Sequence, residues 1–202
     1  MKRWMVLCLL ACACGSDSGS PDGGTSGGSG SITGTVGGHP LSVKDAVFAI
    51  DSSTKIVTVV VADRANICTL LSGTTLPSGT TTVLGFALLN YPGGLSAADV
   101  VTGDYTWYDL QNLTGAPPPG KYWNGAFVIP TSCTAASSTN STGGSVSVTQ
   151  VGTSTGTHLK VTLNNAAFGV DALNGSIEAV YCEAVNNPTC GSGLLYRPGA
   201  FE

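Results

Sequence analysis

Past residue 30, apolar residues come in short runs cut by Gly, Pro, Asn and Ser. Val146 and Val148, then Leu159, Val161 and Leu163, alternate with polar residues. That two-residue period marks strands with one wet and one buried face. Residues 56–62 are almost continuously apolar and rich in β-branched side chains, which favour strands. The pattern predicts strands over 31–36, 41–50, 55–61, 80–90, 103–107, 121–129, 144–151, 157–163 and 175–182, with a further short one over 166–170. Gly37-Gly38 reads as the tight turn of a hairpin joining the first two. Residues 63–71 differ. Ile67, Leu70 and Leu71 fall at helical spacing, with Asp63 as N-cap and Gly73 as stop. About eight to ten strands and one short helix make an all-β chain. No long helices alternate with the strands, which excludes a parallel α/β sheet. An antiparallel β-sandwich and a closed β-barrel both satisfy the pattern.

The first thirty residues follow another logic. Met1-Lys2-Arg3 is basic, residues 4–10 are apolar, and small residues with cysteines follow. This is the layout of a secretory signal whose core is too short to span a bilayer. Leu9-Leu10-Ala11-Cys12 then places a Leu three positions before a cysteine and a small residue directly before it. The segment resembles the lipobox of bacterial lipoproteins. The resemblance implies cleavage before Cys12 and acylation of that residue, with Cys14 as the competing site. Residues 15–31 read GSDSGSPDGGTSGGSGS, which can bury no apolar surface. A coil of that length reaches on the order of 20–25 Å from its anchor. The chain thus divides into a signal peptide (1–11), a lipidated Gly/Ser-rich tether (12–30) and one β-rich globular domain (31–202).

Composition narrows the partners. Charged residues are 10% of the chain and the net charge is -4, so no basic face is available for nucleic acid. Loss of Lys2 and Arg3 with the signal leaves 6 basic against 12 acidic residues. The mature part would not be drawn to anionic lipids, and attachment would rest on the acyl chains. Beyond the lipobox the cysteines are Cys68, Cys133, Cys182 and Cys190. In an exported domain they suggest two disulfides, and their spacing matches no zinc signature. Asn186-Asn187-Pro188 favours a local Cys182–Cys190 bridge, leaving Cys68 to reach Cys133. The crossed pairings remain open.

Several motifs match a pattern without its physics. Gly152-Thr153-Ser154-Thr155-Gly156 satisfies G-x-S-x-G, but a nucleophile elbow needs a strand before it and a helix after. Both flanks here read as strands, so a hydrolase using Ser154 is the least favoured reading. Residues 115–122 nearly spell a phosphate loop, yet prolines offer no N–H, and Tyr122 stands where the magnesium-binding hydroxyl belongs. Asp99, Asp104 and Asp109 lack the spacing of a calcium loop. Neither a cofactor nor a metal is expected.

Tyr105, Trp107, Tyr108, Tyr122 and Trp123 form the best binding lead. Flat amphipathic rings on a sheet can stack on sugars or grip an apolar ligand; the same rings also fill small β cores. Trp123, which precedes an apolar run, is expected to be more buried than Trp107.

The globular part resembles uncharacterised envelope lipoproteins of Gram-negative bacteria that join a Gly/Ser tether to a disulfide-bearing β domain. The resemblance carries over no functional residue. Neither candidate cysteine is followed by Asp, which in that group implies the outer membrane. The expectation is a lipid-anchored envelope protein presenting a non-catalytic domain that binds or builds. The alternative is a carrier holding an apolar ligand in a barrel cavity. The membrane is the implied partner through the acyl anchor, and a protein, glycan or apolar ligand is the open class of further partner.

Overall fold

A computed structural model describes residues 27–75, 81–93, 96–110, 115–133 and 136–190. In chain order the strands are β1 (Ser29–Thr33), β2 (Thr35–Val36), β3 (His39–Pro40), β4 (Asp45–Ile50) and β5 (Val57–Ala62). Helix α1 (Ile67–Ser72) follows, then β6 (Val83–Tyr91), β7 (Gly103–Trp107), β8 (Gly120–Pro130), β9 (Ala136–Asn140), β10 (Gly143–Gln150), β11 (His158–Phe168) and β12 (Asp171–Tyr181). A 3-10 turn, Glu183–Val185, follows the last strand.

The choice between sandwich and barrel resolves as a barrel. Strands β4, β5 and β6 form one antiparallel meander, and β10, β11 and β12 form another. Between them stand β8, antiparallel to β6, and β7, antiparallel to β10. The ring closes through β12 against β4. Both joins between the two halves, β7–β8 and β12–β4, are parallel. This departs from an all-antiparallel sheet, and each parallel join is only two residue pairs long.

Alternation decides what goes inside. Every strand of the ring sends residues to one buried cluster, among them Phe48, Val59, Phe86, Tyr105, Trp123, Val146, Val161 and Ile177. Eight strands enclose a space that side chains can fill, and here large ones do. A second cluster lies on the outer face of β4, β5, β6 and β8; it gathers Val47, Val60, Leu89 and Val128 with Ile67, Leu70 and Leu71 of α1 and with Tyr91, Leu110 and Tyr122. These four strands are therefore buried on both faces, which explains their near-continuous apolar sequence. Strands β10, β11 and β12 keep one polar face in water.

Several elements differ from the sequence reading. The Gly37-Gly38 turn joins only β2 to β3, while residues 45–50 pair with β5. The reason is β1, which lies along β12 from Ser29↔Glu178 to Thr33↔Asn174. Residues 166–168 belong to β11, which continues past a bulge between Leu163 and Ala166, where Asn165 has φ 53°, and residues 169–170 form the turn into β12. β9 carries no apolar signal at all: it reads Ala-Ser-Ser-Thr-Asn and is almost wholly exposed. Helix α1 begins later than expected, and Asp63 does not cap it. Asp63 Oδ1 instead accepts the Thr82 N–H at 2.9 Å. The buried Asp45 takes the capping role from another strand, its Oδ2 accepting the Ile67 N–H at 2.9 Å. Gly73 stops the helix, as its position suggested.

The disulfides are Cys68–Cys182 and Cys133–Cys190, so the favoured local bridge is overturned in favour of a crossed pairing. Residues 183–185 coil into a 3-10 turn rather than folding back as a hairpin. Cys182 N–H is held by the Phe48 carbonyl at 2.8 Å, beside α1. The N–H groups of Thr189 and Cys190 run on to the Leu71 carbonyl at 2.8 and 3.1 Å. Sequence separations of 114 and 57 residues close long loops. On the chain-entropy account each contributes roughly 4–5 kcal/mol.

Glycines make the close approach of β1 to β12 possible, Gly175 among them. Gly175 has φ 141°, and a Cβ there would sit 1.9 Å from the Ser31 carbonyl oxygen. Gly175→Ala should destabilise the domain by about 1–3 kcal/mol. Hydrogen exchange should show β1 losing protection before β10 and β11 do; equal protection of β1 in both proteins would contradict this account.

Candidate functional site

The parallel join of β7 to β8 brings the two aromatic segments together, with Thr106 opposite Tyr122 and Trp107 opposite Trp123. It does not make one platform of them. Tyr105 and Trp123 point into the barrel and are fully buried. Trp107 is half-buried and packs against the same interior cluster. Tyr122 and Tyr108 belong to the outer cluster, their rings 4.7 Å apart and tilted. Trp123 is thus the more buried of the two tryptophans.

Four of these rings also spend a polar tip inside the fold. Tyr105 Oη donates to the Val101 carbonyl at 2.8 Å and accepts the Val101 N–H at 3.0 Å. Tyr122 Oη donates to the Pro118 carbonyl at 2.7 Å, pinning the proline-rich connector to the strand it leads into. Trp123 Nε1 donates to the Gly144 carbonyl at 3.2 Å, and Trp107 Nε1 to Ser141 Oγ at 3.1 Å. Burial pushes both the Tyr105 and the Tyr122 hydroxyls above their ordinary pKa, the latter with help from Tyr108. Both phenols therefore stay neutral donors at physiological pH.

Ser141 is the centre of this region, and sequence reading did not single it out. β8 changes neighbours along its length: β7 borders it at Tyr122 and Trp123, and β9 from Ala126 onward. Gly125 lies in the gap. Ser141 fills that gap, its N–H donating to the Gly125 carbonyl at 2.8 Å and its Oγ accepting the Gly125 N–H at 2.9 Å. The same Oγ donates to Asn124 Oδ1 at 3.2 Å, and Asn124 Nδ2 donates to the Tyr108 carbonyl at 2.7 Å. With Trp107 as its second donor, the hydroxyl has one hydrogen given and two accepted, a full set. No signal in a Ser/Thr-rich stretch distinguishes this serine from its neighbours.

Ser154 sits in the loop between β10 and β11, so the segment runs strand–loop–strand. Its N–H donates to Thr157 Oγ1 at 3.1 Å, and its carbonyl accepts the Thr157 N–H at 3.1 Å. Nearby, His158 Nδ1 lies 2.9 Å from Glu178 Oε1, and Lys160 Nζ lies 3.3 Å from Glu178 Oε2. The His158 contact is attractive only when Nδ1 carries a proton. Asp104 accepts from the Ser147 hydroxyl, and Asp99 pairs with Lys55 at 3.4 Å. Among the described residues, no three His, Cys, Asp or Glu side chains gather as metal ligands. Cys12 and Cys14 lie outside the described residues.

Comparison with known proteins returns no matching family model, no matching curated protein and no matching solved structure. Function is therefore read from the sequence and the geometry together. The geometry comprises a disulfide-bonded barrel, compatible with binding or carriage, whose aromatic lead is turned largely to the fold's own use.

Two measurements follow. Trp123→Ala should cost about 3–5 kcal/mol in urea unfolding, and Trp107→Ala less than about 2 kcal/mol. An equal or reversed pair of losses would contradict the assignment of Trp123 to the interior. Ser141→Ala strands two N–H donors and one acceptor and should cost roughly 1–3 kcal/mol. The exposed Ser137→Ala on β9 should stay within about 0.5 kcal/mol of the parent. If Ser141→Ala is equally silent, the hydroxyl does not seal the join.

Proposed function

We propose that the protein is a lipid-anchored envelope protein, acylated at Cys12, that presents a non-catalytic β-barrel for binding or structural duty at the outer membrane. The single observation behind this reading is the order of parts along the chain. A basic, apolar leader ends in Leu9-Leu10-Ala11-Cys12, and a Gly/Ser tether then leads to a self-contained disulfide-bonded barrel. Disulfides belong to an oxidising compartment, which agrees with export. The interior filled by Phe48, Phe86, Tyr105, Trp123 and Phe168 supports recognition at the surface over carriage of cargo within. The strand–loop–strand setting of Ser154 supports a non-catalytic role over the hydrolase alternative.

The test is the anchor. Mass spectrometry of the membrane-extracted protein should find an N-terminal acylated Cys12, and Cys12→Ser should move the protein into the soluble fraction. A soluble parent with an unmodified N-terminus would sink the proposal. Acylation at Cys14 would keep the anchor and change its site.

A further inference from the structure

The two apolar clusters depend on different kinds of bond. The interior cluster contains no cysteine and draws on all eight strands of the ring. Over β4 and β5 the outer cluster is roofed by α1 and residues 182–190, and both disulfides end in that roof. Cys68–Cys182 joins α1 to the end of β12, and Cys133–Cys190 joins the last described residue to the chain just past β8. Apart from the bridges, the roof is held by buried Ile67, Leu70 and Leu71 and by a few hydrogen bonds. Helix α1 has six residues, and its N-cap Asn66 makes no side-chain capping bond. A helix that short does not hold alone in water. Its first amide leans on Asp45, and its Leu71 carbonyl leans on Thr189 and Cys190. The remaining polar ties run to β4: the Asp45 carboxylate, the Phe48 carbonyl on Cys182 N–H, and the Ile50 carbonyl on Asn186 Nδ2.

We propose that this roof is a redox-operated latch: reduction of the two disulfides releases α1 and residues 182–190 together from the outer face of β4 and β5, while the barrel stays closed. Each bridge offers one approachable end, since Cys68 and Cys133 are half-buried and Cys182 and Cys190 are buried. A dithiol reductant attacks as thiolate at the Cys68 or Cys133 sulfur, and the S–S bond breaks. The Cys182 or Cys190 sulfur leaves as a thiolate and takes up a proton. The reductant's second thiol then closes on the mixed disulfide and frees the remaining cysteine. Each bridge thus gains two electrons and two protons, and the reductant becomes a cyclic disulfide. What opens is an apolar strip that includes Val47 and Val60, which the oxidised form keeps dry.

The experiment is hydrogen exchange on the full chain before and after dithiothreitol in native buffer, with alkylation to count freed thiols. Amides of 67–73 and 182–190 should exchange at least about tenfold faster after reduction, with β10, β11 and β12 unchanged. A doubly substituted chain, Cys133→Ser with Cys190→Ser, should show the same localised change in 186–190 without reductant. Loss of protection in β10 to β12 together with α1 would overturn the proposal, because the barrel would then need the bridges. So would a roof still protected with its thiols free, or bridges that native conditions do not let the reductant reach.

Discussion

A barrel has no free edge only while each strand keeps a partner on both sides, and β8 cannot keep one partner throughout. Its eleven residues outrun β7 on one side, and β9 takes over after Gly125. At such a change of neighbour the backbone loses its ladder, and a buried unpaired N–H or C=O costs about as much as a lost hydrogen bond. Ser141 meets both needs at Gly125 with its own N–H and hydroxyl. The indole of Trp107 and the amide of Asn124 then lock the hydroxyl in place. Closure of the ring at this join is what lets Trp123 and Tyr105 lie in a dry interior, and the rest of the core packs around them.

The second closure, β12 on β4, has a different consequence. It delivers the end of β12 beside α1, so Cys182 meets Cys68 rather than its sequence neighbour Cys190. The pairing of cysteines is thus a property of ring topology. The turn chemistry of Asn186-Asn187-Pro188 is real, but it bends a chain whose two cysteines already have partners elsewhere. A local signal loses to a long-range one because the sheet, once closed, leaves Cys182 no freedom to choose.

Legibility followed the same division. Alternation in Val146 and Val148, and in Leu159, Val161 and Leu163, located one-sided strands correctly. The near-continuous apolar run of β5 located a strand, and its burial on both faces came only with the structure. Sandwich and barrel stayed indistinguishable, since both bury alternate residues and differ only in whether the last strand finds the first. β9 was invisible because an exposed strand at the margin of a sheet needs hydrogen bonds and no apolar residue. Asp63 misled because the helix cap came from Asp45 on another strand, and sequence proximity says nothing about that. Of the aromatic lead, sequence showed the neighbourhood and the order of burial, but strand register decides which face each ring takes.

The wet wall of β10, β11 and β12 bears on how such a barrel could bind anything. Its outward side chains include Ser145, Ser147, Thr149, Thr162, Asn164 and Ser176, with Lys160 and Glu178 paired to each other. Hydroxyls and amides in water exchange one hydrogen bond for another on binding, so each adds about 1 kcal/mol at most and no apolar area anchors the contact. A single barrel recognising a partner through this wall would bind weakly. Under the proposed anchor, many barrels at one surface would act together, and linkage raises avidity by factors of about 10²–10⁴ with no new contact. Weak polar recognition and the proposed display at a membrane surface are therefore complementary.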